Sequence, residues 1–115
     1  MVTPEKRSVK EWLSALEAAS KGDHYPALFK QVYALVAVPS RKRRAVSIFK
    51  INRATKDGDN VIVPRKVLST GRLDHKVNIA ALECSAAARR QIEASGGRLV
   101  PLRDMVTKDR ISVIV

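Results

Sequence analysis

The side chains best suited to chemistry in this sequence are cations. Arg41, Lys42, Arg43 and Arg44 form an unbroken run, and Lys50, Arg53 and Lys56 follow closely. Lys30 precedes the run, and Arg65, Lys66, Arg72, His75 and Lys76 come after it. Guanidinium and ammonium groups at this density bind phosphate oxygens through charge-assisted hydrogen bonds and displace the counterions of a polyanion. No acidic residue lies between Asp23 and Asp57 to neutralise them. A solvated charged surface usually mixes signs, because like charges on one face repel. The acid-free stretch therefore points outward, to a nucleic acid. An anionic membrane surface is the weaker reading, since a membrane-surface helix needs a strong apolar face beside its charges.

Other chemistries find less support. His24 and His75 stand far apart, neither beside a cysteine or a paired carboxylate, and no HExxH, CxxC or EF-hand spacing occurs. No catalytic residue, metal ligand or cofactor is expected, nor a small-molecule substrate. Asp57-Gly58-Asp59 reads as a turn, because too few oxygen ligands follow it for a calcium loop. Gly96-Gly97 ends a helix instead of opening one, which argues against a phosphate fingerprint. Cys84 follows an apolar stretch with no base nearby and reads as a buried structural thiol. As the single cysteine it excludes a disulfide framework and suits a reducing compartment. The five aromatics (Trp12, Tyr25, Phe29, Tyr33 and Phe49) are too scattered for a stacking platform, and Phe29 and Tyr33 fit a helix-packing stripe. His75, close to Arg72 and Lys76, suits a phosphate or 2′-hydroxyl contact as well as it suits a turn.

The elements that must hold these groups follow from length and pattern. The chain has 115 residues, 45% of them apolar and only 4% aromatic, so one domain with an aliphatic core is expected. Twenty-two Lys and Arg against eleven Asp and Glu give +11, and eight of the cations lie in residues 24–56. No stretch approaches about 18 apolar residues without a charge, which excludes a membrane-spanning helix. Ser8 with Glu11 forms a capping box, and Val9, Trp12, Leu13 and Leu16 recur at helical spacing, predicting a helix over 8–20. Pro26 opens a second helix over 26–38 that Pro39 ends. That second helix offers few polar base readers, which disfavours a helix-turn-helix. Ser47 caps a short third helix through Ile48, Ile51 and Ala54. Residues 60–63 form a strand that Pro64 ends, and 64–75 a basic loop. Residues 77–82 are apolar throughout and read as a buried strand. Ser85 caps a helix over 86–95. Short strands at 99–100 and 111–115 flank one helical turn at 104–106. The expected fold class is α+β: N-terminal helices over 1–38, a basic segment over 39–56, then an irregular β-β-α layer with short strands over 57–115.

One resemblance covers roughly residues 39–102. Its pieces, in order, are Ile51-Asn52-Arg53, Asp57-Gly58-Asp59, residues 61–64 with Lys66-Val67-Leu68, Gly71 with Leu73-Asp74-His75, and Ser85 through Ala88-Arg89 to Gly96-Gly97. No piece is specific alone, but the ordered series with its spacings resembles the archaeal and eukaryotic large-subunit ribosomal protein family L-eighteen-e, a relative of bacterial L-fifteen. The basic run 41–44 sits where that family carries one. Arg65 and Ser69 depart from it, standing where the family usually has glycine. The resemblance implies a non-catalytic protein folded against large-subunit ribosomal RNA, in the cytoplasm, beside neighbouring ribosomal proteins. It also implies that the polyanion is RNA; the residues expected to bind it, from the charge pattern, are Lys30, Arg41, Lys42, Arg43, Arg44, Lys50, Arg53, Lys56, Arg65, Lys66, Arg72, His75 and Lys76. The residues alone leave open a free nucleic-acid-binding regulator.

Overall fold

The computed structural model describes residues 4–37, 44–108 and 110–115, with side chains from residue 9 onward. In chain order the elements are α1 (Pro4–Ser20), α2 (Pro26–Val36), β1 (Val46–Ser47), α3 (Ile48–Ala54), β2 (Asp59–Leu68), β3 (Val77–Cys84), α4 (Ala86–Ala94), β4 (Arg98–Leu99), α5 (Leu102–Met105) and β5 (Ile111–Val113). The mixture of helices and short strands is the α+β class that the sequence implies. Among the described residues, no helix is long and apolar enough to cross a membrane.

Among the described residues, all the strand pairings are parallel. β2 is the hub. On one side it pairs with β3, which in turn pairs with β4. On the other side it is shared: β5 pairs with Asn60, Val61 and Ile62, and β1 with Val67 and Leu68. Strand alternation then splits the apolar residues between two faces. Val61, Val63 and Ile79 pack with Ile48, Ile51, Leu73, Ala88 and Ile92, so α3, α4 and the loop after β2 cover one face. Ile62, Ala80 and Leu82 pack with Leu16, Phe29, Val32, Val36 and Met105, so α1, α2 and α5 cover the other. The apolar run in β3 is the mark of a strand covered on both faces.

Local signals set several boundaries. Ser47 Oγ accepts from the Lys50 N–H at 3.3 Å, and Ser85 Oγ from the Ala88 N–H at 3.1 Å, so both expected caps form. A hydroxyl cap of this kind is worth about 1 kcal/mol. Pro26 stands in the first turn of α2.

Three expectations are corrected. α1 begins at Pro4, so Ser8 lies inside the helix; proline at the first helical position gives up an N–H that has no intrahelical partner anyway. β2 does not end at Pro64 but runs to Leu68, which shortens the expected loop to the residues after 68. Pro64 is tolerated because it falls in a bulge: Val63 pairs with Ala81 and Lys66 with Glu83, leaving one extra residue on β2. On its other side, β5 has stopped opposite Ile62 and β1 begins only opposite Val67. Neither neighbour needs the N–H that proline lacks. Finally, β1 has no counterpart among the expected elements, since two residues are too few to show an alternation.

Candidate nucleic-acid interface

α3 is a short amphipathic helix. Ile48 and Ile51 point into the sheet with no exposure, which turns Phe49, Lys50 and Arg53 outward. The Arg53 guanidinium lies 5.6 Å from the centre of the Phe49 ring, within cation–π range. The Lys50 ammonium contacts the carbonyl oxygen of Val115. The loop leaving β2 is bound to the same helix. The Phe49 N–H donates to the Thr70 carbonyl at 2.9 Å, and a Cβ placed on Gly71 would stand 2.6 Å from Phe49 N. Arg72 therefore emerges exposed beside α3.

Further along, the Asp74 N–H donates to Asn52 Oδ1 at 3.1 Å. The Thr55 hydroxyl, on a residue only 8% exposed, lies 2.8 Å from the Ile51 carbonyl and 2.7 Å from His75 Nε2. His75 Nδ1 in turn lies 2.9 Å from Asp74 Oδ1. That contact is the main reason the Asp74 carboxyl is held below its ordinary value. The chain Thr55–His75–Asp74 has the connectivity of a hydrolase triad. Its hydroxyl is buried against the backbone, however, where a substrate carbonyl has no access. What it does is pin the loop to the C-terminal end of α3. His75 is spent inside the protein, with its side chain 15% exposed.

The remaining expected residues are dispersed. Asp57-Gly58-Asp59 is the turn that the sequence suggests: Asp59 Oδ2 accepts from the Lys56 N–H at 2.8 Å and Asp57 Oδ1 from the Lys76 N–H at 3.1 Å. Lys56 and Lys76 are thereby set, exposed, at the amino ends of β2 and β3. Lys66, near the carboxyl end of β2, lines a groove with Glu83, Cys84 and Arg89. Arg65 occupies the bulge and is half-buried. Among the described residues, positive φ outside glycine occurs only at Tyr25 and Arg110, so Arg65 and Ser69 take backbone angles open to any residue. Arg44 is exposed just before β1, whereas Arg41, Lys42 and Arg43 lie outside the described residues. Lys30 is exposed on α2, in the opposite helical layer.

Two side chains at this surface escaped sequence reading. Arg89 joins Lys66 at the groove, which only the β2–β3–α4 packing brings about. Phe49 is an exposed ring in the middle of the cations, and its position off the Ile48/Ile51 stripe was a usable signal. Cys84 needs a correction as well: it is half-buried at the rim of that groove, because β3 runs two residues beyond its expected end. Burial still pushes its thiol up, against an opposing pull from Arg89, so it is no activated nucleophile. Cys84→Ala is expected to cost about 1 kcal/mol in a urea titration, as for a small packed hydrophobe. A loss above roughly 3 kcal/mol would mean that the thiol is an integral core group.

By fold and charge, the molecule is a cationic α+β protein whose α3 surface exposes Lys50 and Arg53, with Arg72 beside them. Residues 41–100, more than half of the chain, match the family of ribosomal proteins 50S-L15, 50S-L18e and 60S-L27A. The large ribosomal subunit protein eL18 of Sulfurisphaera tokodaii is 47% identical over 75 residues, covering 65% of this chain and 64% of that protein. Its counterpart in Methanothermobacter thermautotrophicus is 42% identical over 83 residues, 72% of this chain and 69% of that protein. The eL18 of Pyrobaculum aerophilum is 35% identical over 82 residues, 71% of this chain and 67% of that protein. The aligned part thus spans just under two-thirds of the Sulfurisphaera protein. The chain belongs to this family of large-subunit ribosomal proteins. The matched stretch runs from the basic run through β4 and contains every expected binding residue except Lys30.

Proposed function

We propose that the protein is a structural constituent of the large ribosomal subunit that binds and stabilises folded ribosomal RNA without catalysing a reaction. The observation that carries this reading is the acid-free stretch between Asp23 and Asp57, which ends in the exposed Lys50 and Arg53 of α3. Cations spread over a helix, a loop and two strand ends suit an irregular surface of phosphates and 2′-hydroxyls, recognised by shape rather than by base sequence. Lys30, Arg41, Lys42, Arg43, Arg44, Lys50, Arg53, Lys56, Arg65, Lys66, Arg72 and Lys76 supply the charge, and His75 holds the loop that presents Arg72. Neighbouring ribosomal proteins would complete the surroundings, within the cytoplasm. The relatives' names, all of large-subunit proteins, support the same reading.

Sedimentation tests it. The protein should travel with the large subunit at moderate salt and be released as salt rises and phosphate contacts are screened. Recovery in the soluble fraction at moderate salt would sink the proposal and favour a free nucleic-acid-binding regulator.

A further inference from the structure

We propose that Phe49, with Arg53 beside it, is a docking point for a single unpaired base of the RNA partner. The inference rests on the RNA reading above and adds a ligand group to it. Phe49 is the most exposed of the large hydrophobic side chains among the described residues, at 55%, whereas the other exposed ones range from 36% to 43%. Leaving so much ring in water forgoes the gain of burying it, so a partner that covers the ring gains affinity.

The surroundings select that partner. The ring, Lys50, Arg53 and Ala54 line one shallow pocket. Its polar side chains are both cations, the Lys50 ammonium in contact with the Val115 carbonyl oxygen, and Arg72 emerges exposed from the loop bound to the same helix. An apolar protein surface laid on the ring would have to desolvate these charges without compensation. A nucleotide answers both features, because its base has a flat π-face and its phosphate is an anion. Aromatic rings and guanidinium planes are the groups on which unpaired RNA bases stack.

The pocket is also held ready. The backbone of Phe49 is bonded to Thr70 and closed over by Gly71, and Asn52 and Thr55 tie the same helix to Asp74 and His75. α3 therefore has little backbone freedom to lose on binding, which favours affinity.

Stacking and charge are separable. The test uses the full chain, a hairpin RNA with a randomised loop, and a fully paired duplex carrying the same number of phosphates. Stacking tolerates any base, so a randomised loop suffices. Phe49→Leu keeps apolar bulk and removes the π-face. It should weaken hairpin binding by roughly 5- to 150-fold, the range spanned by one base–aromatic stack. Its duplex affinity and its slope of log K against log salt should not change, and Phe49→Trp should bind the hairpin at least as well as the parent. A measurement on the unaltered chain avoids dependence on the variants' folding: 2-aminopurine in the hairpin loop should be quenched on binding if it stacks on the ring. Unchanged hairpin affinity for Phe49→Leu, or unquenched 2-aminopurine, overturns the base-docking site while leaving the RNA reading intact; a neighbouring protein would then be what covers the ring. If the parent chain binds neither RNA, the RNA reading falls and this site with it.

Discussion

Gly71→Ala should be the most damaging single substitution in the loop after β2, costing on the order of 3 kcal/mol. Two effects add. Gly71 has a φ of 101°, a region that residues with a Cβ rarely adopt. The new Cβ would also stand 2.6 to 2.7 Å from the backbone N, the Cα and the Cβ of Phe49, atoms that a rotamer change cannot move aside. The helix and the loop must therefore separate, and the Thr70–Phe49 hydrogen bond is strained with them. Gly58→Ala is the matched comparison: its φ is 85°, but nothing lies within 4 Å of the added Cβ. It should cost only the backbone term, about 1 to 2 kcal/mol. Urea midpoints of the two variants settle the matter. Equal losses would mean that the loop yields freely and is not clamped to α3. A loss of about 3 kcal/mol is a large part of the roughly 5–15 kcal/mol that typically holds a domain folded. The variant should accordingly also present Arg72 poorly to RNA.

Substituting the basic run should change the electrostatics of binding rather than the fold. Arg41, Lys42, Arg43 and Arg44 replaced together by Gln should flatten the slope of log K against log salt by roughly 2 to 4 units, at about 0.7 to 0.9 for each phosphate no longer neutralised. A second variant carries Lys50→Gln, Arg53→Gln and Arg72→Gln. It should flatten the slope by roughly 2 to 3 units on the same basis, because these side chains gather on and beside one helix. Lys10→Gln with Arg103→Gln is the control, since both residues are exposed on helices of the opposite layer. Arg89 would be a poor control, as it shares a groove with Lys66. The measurement is binding of a large-subunit RNA fragment across a salt series, with circular dichroism to confirm folding. An unchanged slope for the four-residue variant would make the run a solvated linker. An unchanged slope for the three-residue variant would mean that the α3 surface faces something other than RNA.

Much of this architecture could be read from local chemistry. Ser47 and Ser85 announce α3 and α4 because a hydroxyl before a helix satisfies an otherwise orphaned N–H. The 3.6-residue spacing in α1 and α2 and the apolar run in β3 are short-range patterns of the same kind. The cationic character was legible for a different reason: net charge is additive along the chain, and residues 24–56 carry no acid of their own to offset their eight cations. The local patterns and the ordered motifs of residues 51–97 carry the fold class, and the charge map points to the kind of partner proposed above.

Tertiary structure decided the rest, because it depends on pairs of residues distant in sequence. Pro64 looks like a strand end until β1 and β5 are seen to share one edge of β2 and leave the proline between them. Nothing local distinguishes parallel from antiparallel pairing in strands of two or three residues. Which cations share a surface was likewise decided by packing: Lys50, Arg53 and Arg72 come to one side because Gly71 lets the loop touch α3, and Lys30 goes to the other layer because Phe29, Val32 and Val36 face the sheet. His75 is spent within the protein because Asn52 and Thr55 of α3 and its C-terminal cap draw the loop inward. Composition sets how much charge the molecule carries; the sheet and its bulge set where that charge points, since only long-range contacts orient one element against another.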